Sequence, residues 1–442
     1  MNKTRADNVP FVRLGEITIK IGSGATPRGG KESYQNSGIT LIRSLNVYNF
    51  KFEYNGLAFI DEEQAKQLSN VEVQNHDILL NITGASVARC CMVPSQVLPA
   101  RVNQHVAIIR IHPKLAKPDY VLYCINSPQF KHHLLTLAQG GATREALTKD
   151  TISNFEIPCP SLSIQSKIAA ILSAYDRLIE NNTRRIKILE EMARSLYDEW
   201  FVKFRFPDYE KVAEGFVWKK KKIKELPIQI IDGDRSTRYP KTSEFQSTGI
   251  LFLNTKNIIG NKLDLSEANF ITLEKFSQIK KGRLQPLDIV MTTRGSIGKI
   301  ALFNCEYLKG LINAQMLILR ADNQVINQVF LFYLMCNDEF QKSIRGFSSG
   351  SAQPQIPIQD LREIEIFCPP IEIQRKFSDF ACSYVLLIKN LQCKNNNLRQ
   401  TRNLLLPKLI SGEIDVENLD IENGVMNESE EISSSSQEAI AG

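Results

Sequence analysis

One pattern is written twice in this chain. Shifting the sequence by about 210 residues lays its second half over its first, and the order of matching segments never breaks. Gly38-Ile39-Thr40-Leu41-Ile42-Arg43-Ser44-Leu45-Asn46-Val47 answers to Gly249-Ile250-Leu251-Phe252-Leu253-Asn254-Thr255-Lys256-Asn257-Ile258. Asp77-Ile78-Leu79-Leu80-Asn81-Ile82-Thr83-Gly84 answers to Asp288-Ile289-Val290-Met291-Thr292-Thr293-Arg294-Gly295. Val102-Asn103-Gln104-His105-Val106-Ala107-Ile108-Ile109-Arg110 answers to Ile312-Asn313-Ala314-Gln315-Met316-Leu317-Ile318-Leu319-Arg320. Whatever fold the first half takes, the second must share, so 442 residues predict two similar modules rather than one large core.

Each half opens with short β-branched runs broken by Gly, Asn and Pro, such as Asp77 to Ile82 and Val106 to Ile111, which read as strands and turns. Each continues into one helical stretch, Tyr120 to Leu137 or Val329 to Ile344. Each then leaves through prolines, at Ile157-Pro158-Cys159-Pro160 or Phe367-Cys368-Pro369-Pro370. The expected class is α+β, with two repeated mixed α/β domains of about 150 residues.

A stretch of different character follows each exit. In the first, Ile168, Ile171, Tyr175, Leu178, Asn182, Arg185, Leu189, Met192 and Leu196 alternate in steps of three and four; in the second, Phe377, Phe380, Tyr384, Leu387, Leu391, Lys394, Leu398, Thr401 and Leu405 do the same. This spacing over about four heptads predicts two long helices paired as an antiparallel coiled coil, packed through the apolar members of these rows. At about 1.5 Å per residue, some 35 helical residues reach roughly 50 Å, enough to make each helix a spacer. The expected boundaries are 9–160 for the first domain, 161–205 for the central helix and 206–215 for a linker. The second domain takes 216–369, the second helix 370–412, and an acidic tail that reads as disordered takes 413–442.

The formal charge of +6 understates the folded body, because nine acidic and no basic residues follow from Glu413, leaving about +15 on the remainder. Such an imbalance suits a surface that meets a polyanion. No apolar run approaches the roughly 20 residues that span a bilayer and the start lacks a signal-like apolar stretch, so a cytoplasmic protein is expected. The nine cysteines include the pair Cys90-Cys91 but no CxxC, and the five histidines form no HExxH, which predicts reduced thiols and no metal.

Catalytic motifs fail on inspection. Gly22-Ser23-Gly24-Ala25-Thr26-Pro27-Arg28-Gly29-Gly30-Lys31-Glu32 lacks the first Gly of a P-loop at the right spacing and the hydroxyl after its Lys, and Gly295-Ser296-Ile297-Gly298-Lys299 fails in the same way. There is no GxSxG and no Asn-Pro-Pro-Tyr-like methyltransferase tetrad, so no catalytic site is expected. Two corresponding loops stand out instead, Gly22 to Lys31 and Asp232 to Lys241, both rich in Gly and basic residues but different in detail. Glycine lets backbone approach phosphate closely, and Arg or Lys can pair with phosphate or with guanine O6/N7. The candidate DNA contacts are Arg28, Lys31, Arg43, Arg89 and Arg144 in the first half, and Arg235, Arg238, Lys241, Lys256, Arg294 and Lys299 in the second.

Three further segments carry a family likeness. Gln139-Gly140-Gly141-Ala142-Thr143-Arg144-Glu145-Ala146-Leu147-Thr148-Lys149, leading through Ile157-Pro158-Cys159-Pro160 to Ile164-Gln165-Ser166-Lys167-Ile168, is one. Leu189-Glu190-Glu191-Met192-Ala193-Arg194-Ser195-Leu196-Tyr197-Asp198-Glu199-Trp200-Phe201 and Leu404-Leu405-Leu406-Pro407-Lys408-Leu409-Ile410-Ser411-Gly412-Glu413-Ile414 are the others. From about Val9 to Val416 the chain resembles specificity subunits of type I restriction-modification systems; the second junction, Gly350 to Ile356, is a looser version and the tail lies outside the shared pattern. The resemblance implies two target-recognition domains, each reading half of a split, non-palindromic site in double-stranded DNA across a gap set by the helices. It also implies modification (methyltransferase) subunits, two of them, and restriction (endonuclease and translocase) subunits as partners. No cofactor is implied in this chain, while the partners would use S-adenosylmethionine, ATP and Mg. The rival readings are a coiled-coil scaffold with non-specific DNA affinity, and a self-contained methyltransferase or nuclease with degenerate motifs.

Overall fold

The computed structural model describes residues 9–139, 146–207, 218–346 and 355–420. The chain divides into two compact units, one from residues 1–180 with 397–442 and the other from 181–396. Each unit therefore takes one half-sequence domain together with parts of both long helices.

The first unit holds two four-stranded sheets. One orders its strands Thr18–Ser23, Val106–Ile111, Ile78–Asn81 and Cys90–Met92, all antiparallel. The other orders Ala58–Ile60, Ile39–Ile42, Ala100–Val102 and Glu72–Val73, with the two middle strands parallel. The second unit repeats both: Ile228–Asp232, Met316–Ala321, Ile289–Thr292 and Ile300–Leu302, then Asn269–Ile271, Ile250–Leu253, Gly310–Ile312 and Arg283–Leu284, again with its middle pair parallel. The apolar runs of the central strands make sense in this setting. Ile78 and Leu80 join one core and Leu79 the other, because successive side chains leave a strand on opposite faces and here both faces are covered. A short helix, Pro118–Asn126 or Gln328–Cys336, closes the larger core in each unit.

The same buried ion pair braces each sheet. Arg110 grips Asp77 through Nε and Nη2 at 2.8 and 2.7 Å, and Arg320 grips Asp288 at 2.7 Å through both. Each carboxylate also accepts the amide of the residue three positions earlier, Gln74 or Gln285. Fully hydrogen-bonded in this way, the buried charges are compensated and the turn entering the central strand is held.

The long helices span Leu162–Tyr197 and Ile371–Ile410. Pro160 and Pro370 stand just before them, where a missing N–H costs nothing. A buried glutamine stitches each helix start to its domain: Gln165 donates to the Pro160 carbonyl at 2.8 Å and accepts from the Lys117 amide, and Gln374 does the same with Pro369 at 2.7 Å and the Asn327 amide. The second helix stops at Gly412, whose φ of +75° suits a C-terminal cap.

In each unit the two helical segments run in opposite directions. Arg402 pairs with Asp176 in the first unit, and in the second Asn182 donates to Asn395 at 2.9 Å while Asn395 donates to Thr183 at 3.2 Å. The packed row differs from the one the heptad reading selects. Leu178, Met192 and Leu387 are 51, 46 and 47% exposed, so these three are not helix–helix packing residues, whereas Phe380, 55% exposed, still meets the Trp200 ring edge-on at 6.1 Å. Ile168, Phe377 and Leu391 are buried, and Ile171, Tyr175, Leu189, Leu196, Tyr384, Leu398 and Leu405 are half-buried. A second buried row lies one residue further on, through Ala169, Leu172, Ile186, Ala193 and Tyr197 on the first helix and Ala381, Val385, Asn395, Arg402 and Leu406 on the second. One residue is about 100° of helix rotation. An apolar pattern misses this second row because it includes Asp176, Thr183, Asn395 and Arg402, which pair with one another instead of presenting apolar side chains.

Candidate nucleic-acid interface

Strand register brings three connections of the first unit to one edge. Ser23 lies opposite Ala107 and Asn81 opposite Val106, so one strand begins where two others end. The loop after Ser23, the loop after Asn81 and the tight link Asn103–His105 therefore meet. Backbone bonds tie them: Gly24 N–H to the Val106 carbonyl at 2.9 Å, Ile82 N–H to the His105 carbonyl at 3.0 Å, and Leu147 N–H to the Ile82 carbonyl at 2.8 Å. Only glycine fits at position 24, where a Cβ would lie 2.1 Å from the Val102 carbonyl oxygen.

The second unit builds the same frame. Gly233 bonds to the Met316 carbonyl, Thr293 to the Gln315 carbonyl and Ile356 to the Thr293 carbonyl, and a Cβ on Gly233 would lie 2.2 Å from the Asn313 oxygen. Frame and chemistry part company at the tips. In the first unit Thr26 donates to Gln104 Oε1 at 2.5 Å, the Gln104 amide meets His105 Nε2 at 3.1 Å, and His105 Nδ1 meets Thr83 at 2.7 Å. In the second, Arg235 donates to Asp232 and to the Ala314 carbonyl at 3.2 Å, Ser236 caps onto Asp234 at 2.6 Å, and Arg294 occupies the place of Thr83.

The sequence candidates divide. Arg28 and Lys31 are exposed on the loop after Ser23, and Arg235, Arg238 and Lys241 are exposed on the matching loop. Arg294 is half-buried at the same edge, next to the bridge with Gln355. Arg43 is engaged by its own domain, donating to the Gly56 carbonyl and lying 5.3 Å over the Tyr34 ring. Arg89 stacks 4.6 Å over Tyr48, and its counterpart Lys299 donates to the Ile258 carbonyl, so both turn back onto a hairpin. Lys256 faces Glu267 at 3.8 Å. Arg144 lies outside the described residues.

Residue-type reasoning missed Thr26, Thr83, Gln104 and His105. Their signal was a mismatch inside a matched segment, Asn103-Gln104-His105 against Asn313-Ala314-Gln315. Elsewhere the structure offers little chemistry. The nine cysteines are unpaired; burial pushes the Cys91 thiol up to about 12, away from reactivity at neutral pH. Among the described residues no three His, Cys, Asp or Glu side chains gather as a metal site would need, and no helix is long and apolar enough to cross a membrane.

Comparison with known proteins bears on both halves. The model of the type I restriction modification DNA specificity domain matches residues 7–191 and again 217–400. The chain is similar to the type I restriction enzyme MjaIX specificity subunit of Methanocaldococcus jannaschii, 27% identical over 418 residues, which cover 92% of this chain and 93% of that protein. It is also similar to the MjaVIII specificity subunit of the same organism, at 26% identity over 78% of this chain and 81% of the relative. Among solved structures, the type I restriction-modification system S subunit from M. genitalium superposes with a TM-score of 0.56 over 91% of this chain and 96% of that one; at 15% identity this speaks to fold alone. With the domain matched twice over most of its length, the chain belongs to the type I restriction-modification DNA specificity family, one specificity domain in each half.

Proposed function

We propose that each unit reads one short half of a split, non-palindromic site in double-stranded DNA, and that an antiparallel coiled coil of the two long helices sets the gap. As a specificity subunit the chain is the DNA-recognising, non-catalytic component. The observation that carries the split reading is the pairing of one backbone frame with two different tips: the frames repeat strand for strand, while Thr26, Gln104 and His105 correspond to Arg235, Ala314 and Gln315 across the repeat. Identical frames suit a common way of approaching the duplex, and unlike tips suit unlike base sequences. A helix of 36 residues is about 54 Å long, more than enough to span the roughly 34 Å between half-sites one turn apart, whereas a flexible linker would hold no spacing.

The partners are modification subunits, two of them, and restriction subunits, which bring S-adenosylmethionine, ATP and Mg; this chain brings the address. In the second unit the exposed apolar side chains Met192 and Leu387 offer a methyltransferase subunit apolar surface to cover. A scaffold with only salt-sensitive, sequence-blind DNA affinity has nothing in the tips to favour it.

Exchanging residues 24–31 together with 103–105 for those of a relative, in cells carrying the methyltransferase, tests the reading by methylome sequencing. The expected outcome is a changed first half-site beside an unchanged second one. If both half-sites persist, the assignment of reading to these tips fails.

A further inference from the structure

We propose that Gln104 is a base-reading side chain of the first unit and that it selects adenine at one position of the half-site read there. The inference rests on the DNA-specificity reading above and deepens it.

Gln104 sits in the middle of the three-residue link Asn103–His105, where the strand Ala100–Val102 of one sheet hands over to Val106–Ile111 of the other. It is exposed, yet held from two directions. Thr26, on the loop after Ser23, donates to Oε1 at 2.5 Å, and His105 Nε2 takes an amide hydrogen at 3.1 Å. The other ring nitrogen, Nδ1, is hydrogen-bonded to Thr83 Oγ1 at 2.7 Å, which anchors the ring to the third loop. Three loops thus converge on one amide. A side chain already immobilised loses little rotamer freedom when it docks.

The arithmetic of the amide identifies the ligand. A primary amide has two N–H groups and two lone pairs, and this network uses one of each. One donor and one acceptor remain, and the count is the same for either orientation of the amide. In the major groove, side-by-side acceptor and donor are what adenine presents through N7 and N6, and Gln is a bidentate partner for that edge. Guanine offers two acceptors there, which the remaining pair cannot match. The corresponding residue of the second unit is Ala314, whose carbonyl is occupied by Arg235. The two tips therefore cannot read the same base in the same way.

The test uses the full chain co-purified with its methyltransferase partner and a randomised duplex DNA library. The wild-type protein should enrich a split site with adenine at one position of one half. Gln104→Ala should lower the preference there roughly ten- to hundred-fold, leaving the other positions and the second half-site intact; the second half-site serves as the control for folding. Gln104→Glu, with acceptors only, should move the preference at that position to cytosine, whose N4 donates. The proposal is overturned if both variants keep every wild-type preference, or if binding weakens evenly across all sequences, as loss of a phosphate contact would cause. A wild-type protein that enriches no split site overturns the parent reading instead, and this one with it.

Discussion

Gly24 and Gly233 stand at the same point of the repeated frame, and neither has room for a Cβ against the carbonyl oxygens beside it. Backbone, unlike a flexible side chain, cannot move aside cheaply. Gly24→Ala should therefore shift the loop that carries Thr26 and Arg28, at a cost of about 1–3 kcal/mol. In selected DNA the first half-site should blur while the second stays sharp; equal sharpness of both would show that this loop does not touch the bases. Side-chain chemistry at this scale was only partly legible in the sequence. Loops rich in Gly and Arg announce themselves, and Arg28, Lys31, Arg235, Arg238 and Lys241 do lie exposed on them, Arg235 with Asp232 and Arg238 with the Gln278 carbonyl as neighbours. Arg43, Arg89 and Lys299 carry the same charge but spend it on Tyr34, Tyr48 and the Ile258 carbonyl. Nothing in residue type separates the two groups, because a cation–π contact depends on which ring the fold places beneath the guanidinium.

The long helices show how a correct element can carry a partly misplaced face. Their existence follows from spacing and their starts from the flanking prolines, while the first helix ends at Tyr197, short of the expected 205. A second buried row, however, lies one residue further along, and it is anchored in polar pairs. Arg402 meets Asp176 and lies 4.3 Å over the Phe50 ring, while Tyr123 donates to Asp176 at 2.6 Å, so the first domain and both helix segments of its unit share one buried cluster. Burial pushes the Tyr123 phenol up, which keeps it protonated as the donor. Turning the row inward by 100° leaves Met192 on the first helix and Leu387 on the second outside. Met192→Glu with Leu387→Glu should accordingly leave the chain folded, with thermal unfolding within a few degrees of wild type. The same pair should abolish co-purification of the methyltransferase subunit. Retained co-purification would remove these two residues from the partner surface.

For the whole molecule the proposal makes the helices a measure of DNA. Removing one heptad from each helix together, at matching positions, shortens the pair by about 10 Å, or about three base pairs of duplex. The gap in the methylated site should contract accordingly, or specific binding should vanish; a full-activity variant with an unchanged gap would mean that something other than helix length sets the spacing. Duplication, alternation of strand and turn, and the two long helices were determined by sequence alone, since each is a periodicity along one dimension that survives without knowledge of contacts. Which helix face is covered, which arginines remain available and which side chains gather at the tips were decided only in the tertiary structure. Thr26 and Gln104 are 78 positions apart and Asp176 and Arg402 are 226 apart. Pairings at such separations come into being when the sheets set their register and the helices turn to bury one row, and no local pattern in the chain encodes them.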